Sequence, residues 1–186
     1  MRLVIKIIFL YIIFSSCHSR DDLPVEDQIS ISDTLDFDTF DEFIFMNFQN
    51  KEMIFNEDYR YFLEENLGVE LISRSSSGEV VLYSLHMWGV VEDIDSNIIR
   101  RLGMNIKRFT GEGFYKTGTG ADNNCSLFDF GISWHSHYDS KQEGFIEITT
   151  WDGKYIEGNY SIYIFNANDN LRSEKIRGHF RLKTEH

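Results

Sequence analysis

An all-β fold is predicted by three features of the sequence. Short alternating runs of aromatic and branched residues recur from Phe43 to Lys183. Clusters of Gly, Asn, Asp and Ser separate them, the pattern of strands and turns. The single proline, Pro24, precedes every run, which suits continuously paired strands. Together these point to about nine or ten strands, in an antiparallel barrel of calycin-like type or a two-sheet sandwich. One short helix is expected near residues 57–66.

The clearest strands lie at the end of the chain, between Gly144 and Lys183. GFIEITTW, YIEGNYSIYIF and EKIRGHFRLK form a meander. Its first turn is Asp152-Gly153, a dipeptide that tolerates the positive φ of a tight hairpin. Its second is the looser Asn166–Asn170 stretch. In the last run Ile176, Gly178, Phe180 and Leu182 share one face, and Arg177, His179, Arg181 and Lys183 the other. That alternation marks a strand with one dry side.

Earlier elements follow the same logic. Phe43 to Phe48 is an apolar strand, turned by Gln49 to Glu52 and returned by Met53 to Phe55. Tyr59, Phe62, Leu63 and Asn66 then switch to helical spacing, with Asn56 as N-cap and Gly68 as the residue beyond the C-cap. Strands are expected at Val69 to Ser73, Glu79 to Trp88 and Ile98 to Phe109, the last with a possible bulge at Gly103. The bend GEGFY precedes a short strand, and Leu127 to His135 reads as one further strand.

The beginning of the chain reads as an export signal over residues 1–16. Arg2 and Lys6 supply positive charge, Ile7 to Phe14 an apolar core, and Ser15-Ser16-Cys17 a junction of small residues before a cysteine. The apolar run is too short to span a bilayer, which takes about 20 residues. The junction resembles that of bacterial lipoproteins, in which the cysteine is acylated with palmitate-type chains. It implies lipidation at Cys17 and a place in the cell envelope, on the outer membrane. Residues 17–35 then form the lipidated cysteine and a flexible acidic tether, and residues 36–186 a single β domain. His18-Ser19-Arg20-Asp21-Asp22 is similar to the export clusters that send some such proteins to the cell surface.

Charge narrows the partners. The chain carries 18 basic and 30 acidic residues, a net charge of −12. Loss of residues 1–16 removes two basic residues and no acidic one, which takes the charge to −14. Such a surface repels nucleic acid. With Cys17 lipidated, only Cys125 remains, so no intramolecular disulfide can form. Cys125 fits a small buried hydrophobe better than a nucleophile.

The order of FQNKEMIF, VVLYSLHMWG, GEGFY, GFIEITTWDGKYIEGNYSIYIF and IRGHFRL resembles a family of uncharacterised Gram-negative bacterial lipoproteins, a domain of unknown function. Members have an NGK-type hairpin near the start and a GxVxITxxD…GTFxF…GxF-like meander at the end. Here Gln49-Asn50-Lys51 lacks the glycine of that hairpin, and Gly158-Asn159-Tyr160 replaces GTF. The resemblance implies an antiparallel β domain and no known activity.

Few residues suggest chemistry. His135, His137 and Asp139 would project from one face of an extended strand and are a weak candidate set for Zn²⁺. The same residues fit a polar strand end, and no fourth ligand is indicated. Asp33, Asp36, Asp38 and Asp41 lack the glycine and distal glutamate of a Ca²⁺ loop. No nucleophile elbow, phosphate loop or HExxH occurs. Trp88, Trp134 and Trp151, placed near strand ends, are candidate stacking surfaces for a small molecule or glycan. The expected function is that of a non-catalytic, cofactor-free binding module on a lipid anchor, its ligand a small molecule, a glycan or a protein partner. The alternatives are a metal-assisted enzyme at His135, His137 and Asp139, or a structural component of the envelope.

Overall fold

The computed structural model describes residues 40–56, 67–76, 79–92, 97–118, 120–136 and 142–184. They form eleven strands and no helix. These are β1 (Phe43–Phe48), β2 (Lys51–Asn56), β3 (Leu67–Ser76), β4 (Glu79–Glu92), β5 (Ile98–Ile106), β6 (Gly113–Thr117), β7 (Asn124–Asp129), β8 (Ile132–His135), β9 (Gly144–Trp151), β10 (Tyr155–Asn166) and β11 (Ser173–Lys183).

Nine of them follow one another around a nearly closed antiparallel barrel, in the order β2-β1-β11-β10-β8-β7-β5-β4-β3. The parity of that number means that a ladder closing the barrel would have to be parallel. With every neighbour antiparallel and nine strands in the path, β2 and β3 at its two ends run the same way. They do not pair. Side chains close part of the gap instead. The Phe55 ring of β2 lies over Gly89 of β4, so close that a Cβ on Gly89 would sit 2.7 Å from the ring.

β10 is the fork of the sheet. Ile156 to Ser161 pair with β9, which carries β6 on its far side, whereas Phe165 and Asn166 pair with β8. The barrel and its β6–β9 flap therefore share one strand.

The inward face is filled with apolar side chains. Ile44, Met46, Leu102, Met104, Ile106, Ile162, Ile176 and Leu182 are wholly buried. On β11 the predicted dry face, Ile176, Gly178, Phe180 and Leu182, is the buried one. Two glycines on β10 and β11 make room for two aromatic rings in directly opposed pairs. Tyr160 is opposite Gly178, and Gly158 is opposite Phe180. The Tyr160 ring crosses Gly178 and donates its hydroxyl to the Phe45 carbonyl of β1, at 2.9 Å. Phe180 covers Gly158 in the same way.

Several sequence expectations change. Leu127 to His135 is not one strand: Phe130 and Gly131, at φ 45° and 86°, turn it into the β7–β8 hairpin. A two-residue turn of this kind needs positive φ at both central residues, which glycine accepts readily and phenylalanine rarely does. Gln49 and Asn50 make the β1–β2 turn with the same signs, φ 51° and 60°, without a glycine. Gly68 is not beyond a helix end but lies inside β3, opposite Trp88. Gly103 is no bulge, since it keeps register with both Trp88 and Ser126. The register shifts fall instead at Arg74/Ser75, Val91/Glu92 and Glu157/Gly158. The helix expected near residues 57–66 lies outside the described residues, as do the signal and tether.

Candidate functional site: the apolar mouth of the barrel

Small β-barrels hold ligands at their mouths when the interior is otherwise filled. Here one mouth is lined by Val69 and Leu71 of β3, Leu85 of β4, Phe109 beyond β5, Trp151 at the end of β9, Gly153 and Thr184. The cleft encloses about 230 Å³. Val69 and Leu85 are buried, but Leu71 is 42 % exposed and Trp151 38 %. Leu71 shares the inward parity of Val69 and lies on β3, beyond which no strand pairs among the described residues.

The GEGFY bend fixes the position of Trp151. Gly111 sits at φ 109°, open to glycine and closed to ordinary L side chains. The indole lies over it, 3.5 Å from where a Cβ would be. The Glu112 carboxylate accepts the Trp151 backbone N–H at 3.2 Å. Tyr115 donates its hydroxyl to the Gly111 carbonyl at 2.6 Å and accepts from the Thr110 amide at 3.1 Å. Phe109 meets Trp151 edge to face at 4.8 Å and stacks with Tyr115 at 5.9 Å. Trp151 is thus an anchored aromatic wall.

The polar groups around the cleft are already engaged. Thr184 donates its hydroxyl to the Gly153 carbonyl at 2.7 Å. The Asp152 carboxylate accepts the Lys154 and Tyr155 amides at 2.8 and 2.7 Å, and these bonds hold its pKa below the usual carboxylate value. Beside the cleft, Lys183 donates to Asp41 at 3.1 Å, which lowers the Asp41 pKa and raises that of Lys183. Among the described residues the lining is mostly apolar and holds no histidine, cysteine or carboxylate, a geometry suited to holding a ligand.

The three tryptophans have separate fates. Trp151 is on the mouth. Trp134 points inward and is 1 % exposed, edge-on to Phe48 at 5.4 Å and under the Arg172 guanidinium at 5.2 Å. No exposed stacking face remains on it, a correction to its placement as a strand-end platform. Trp88 lies in the middle of β4 rather than at its end, on the outer face, half-buried and packed over Gly68. His135 closes β8 on the outer face, while His137, Asp139 and Cys17 lie outside the described residues. Among the described residues no group of three His, Cys, Asp or Glu is placed to hold a metal ion. Cys125 points into the core, and burial pushes its thiol pKa far up.

The residues that sequence reasoning missed are Val69, Leu71, Leu85 and Phe109. In the sequence each is an ordinary inward strand position, and only closure of the barrel brings them to Trp151. No family model, curated protein or solved structure matches the chain.

Proposed function

We propose that this chain is an envelope lipoprotein, held to the outer membrane through an acylated Cys17, whose barrel binds a small apolar molecule without transforming it. The observation that carries the binding reading is the cleft of Leu71, Leu85, Phe109 and Trp151, apolar on a chain of net charge −12. An exposed apolar concavity persists on an acidic surface where it has something to cover. The anchor rests on the Ser15-Ser16-Cys17 junction behind an apolar run. The resemblance to envelope lipoproteins of unknown role supports the same placement.

The two parts of the proposal fit each other. Asp41, just ahead of β1, is bonded to Lys183, the neighbour of the cleft residue Thr184. The chain therefore enters the barrel at the end that carries the mouth. A flexible tether from Cys17 would keep that mouth within reach of the membrane, a source of apolar ligands.

The test of binding is titration of the Cys17→Ser chain, freed of its signal residues, with N-phenyl-1-naphthylamine, a neutral apolar fluorophore. The expected result is a saturable rise in emission at one equivalent, lost in Trp151→Ala and in Leu71→Asp. Emission that is absent, or indifferent to both substitutions, refutes the mouth as a site. For the anchor, Cys17→Ala should release the protein from the membrane fraction. Palmitate incorporation that survives that substitution rules the anchor out.

A further inference from the structure

A second concavity lies on the outer face of β5, β7 and β8 and is unlike the mouth in chemistry. It encloses about 380 Å³. Two adjacent cross-strand rows build it. One runs Arg101–Phe128–Ser133 and the other Gly103–Ser126–His135, each residue opposite the next in register. Gly103 contributes no side chain, so the second row has an open floor. Its borders are the Ser126 hydroxyl, 3.2 Å from the position a Cβ would take, and His86 Nε2 at 3.9 Å.

The charge of this groove is opposite to that of the protein. Among the described residues none of those lining it is acidic, and their one permanent charge is the Arg101 guanidinium. Arg101 is exposed, and among the described residues no carboxylate pairs with it. Its neighbour Arg100 is on the opposite parity and is occupied by Asp129, at 2.7 Å. Of the net charge of −12, the carboxylates farther than a Debye length, about 8 Å at physiological ionic strength, are largely screened from Arg101. An exposed guanidinium beside hydroxyl donors is the geometry that selects oxyanions. The half-buried Phe128 ring, between Arg101 and Ser133, supplies an apolar surface beside it.

We propose that this groove binds a small organic anion, a carboxylate or phosphate monoester carrying an apolar ring or chain. Its oxyanion pairs with Arg101 and accepts from the Ser126 and Ser133 hydroxyls, and its apolar part lies on Phe128. His135 stands at the groove wall. The site is independent of the mouth, sharing no residue with it.

The experiment is a titration of the ¹⁵N-labelled mature chain with benzoate and phenyl phosphate, and with benzyl alcohol as the neutral analogue. Both anions should shift the amides of Gly103, Ser126, Phe128 and His135, and the tighter of the two identifies the preferred oxyanion. Arg101→Gln should weaken both by about tenfold, the loss of one charge-assisted contact. Added salt should weaken them too, while Trp151→Ala leaves them unchanged. Three results would overturn the proposal: benzyl alcohol binding as tightly as the anions, affinity indifferent to Arg101→Gln, or neither anion shifting these amides.

Discussion

Gly178→Ala probes the central packing device of the barrel. A Cβ at this position would collide with the Phe45 carbonyl oxygen and lie 2.6 Å from the Tyr160 ring. Neither neighbour can yield cheaply. The oxygen belongs to the backbone of β1, paired on both sides, and the ring is wholly buried. Overpacking of this kind costs about 1–3 kcal/mol. Displacing Tyr160 also strains or breaks its 2.9 Å bond to Phe45, worth about 1–3 kcal/mol at a buried site. Alanine gains about 0.5–1 kcal/mol over glycine through backbone entropy. The net expectation is a loss of about 3 kcal/mol. In urea melts followed by tryptophan fluorescence, slopes of about 1–3 kcal/mol/M turn this into a midpoint lower by about 1–3 M. Gly103→Ala is the control, because its nearest contact would be the Ser126 hydroxyl at 3.2 Å, which can rotate away. It should leave stability unchanged or raise it by up to about 1 kcal/mol. Equal midpoints for the two variants would show that no ring crosses Gly178, and the β10–β11 register would be wrong.

Four further outcomes follow from the same packing. Phe180→Ala should cost about 3–5 kcal/mol by urea melt, since it empties the space that the buried ring fills over Gly158. Arg181→Ala on the other face removes a half-exposed contact with Glu157 and Tyr155 and should cost about 1 kcal/mol or less. His179, set against the Phe43 and Phe45 rings, has its pKa lowered by burial to about 4 from 6.5. The unfolded chain therefore takes up the proton first. This contribution to stability is complete above pH 6.5 and is lost as pH falls toward 4, and His179→Phe should flatten that part of the stability–pH profile. An unchanged slope would place the acid sensitivity elsewhere. Finally, Cys125 in the Cys17→Ser chain should react with a disulfide-exchange reagent only as fast as the barrel opens, because burial holds it as the thiol. Rapid labelling under native conditions would show that β7 is not sealed into the core.

Much of the fold could be read from local pattern, and the failures share one cause. The meander from Gly144 to Lys183 was legible because period-2 alternation and the Asp152-Gly153 turn are both properties of adjacent residues. The β7–β8 turn was not, because Phe130 carries a strand-like side chain and takes φ 45° only when the paired strands demand it. Gly103 and Gly68 look like interruptions in a strand or helix pattern. Their role is set by what faces them, the Ser126 hydroxyl in one case and the Trp88 ring in the other.

The sequence by itself determined the all-β class, the alternation that selects the dry face of β11, the acidic surface and the shortage of catalytic motifs. These follow from side-chain chemistry and a spacing of two residues along one strand. Tertiary structure alone decided which tryptophan meets solvent, that Leu71 and Leu85 converge on Trp151, and that Arg101, Ser126 and Ser133 share one groove. Such groupings join residues up to about a hundred positions apart through strand order and register. Those are set by the simultaneous packing of all nine barrel strands, and no local run of sequence encodes that sum.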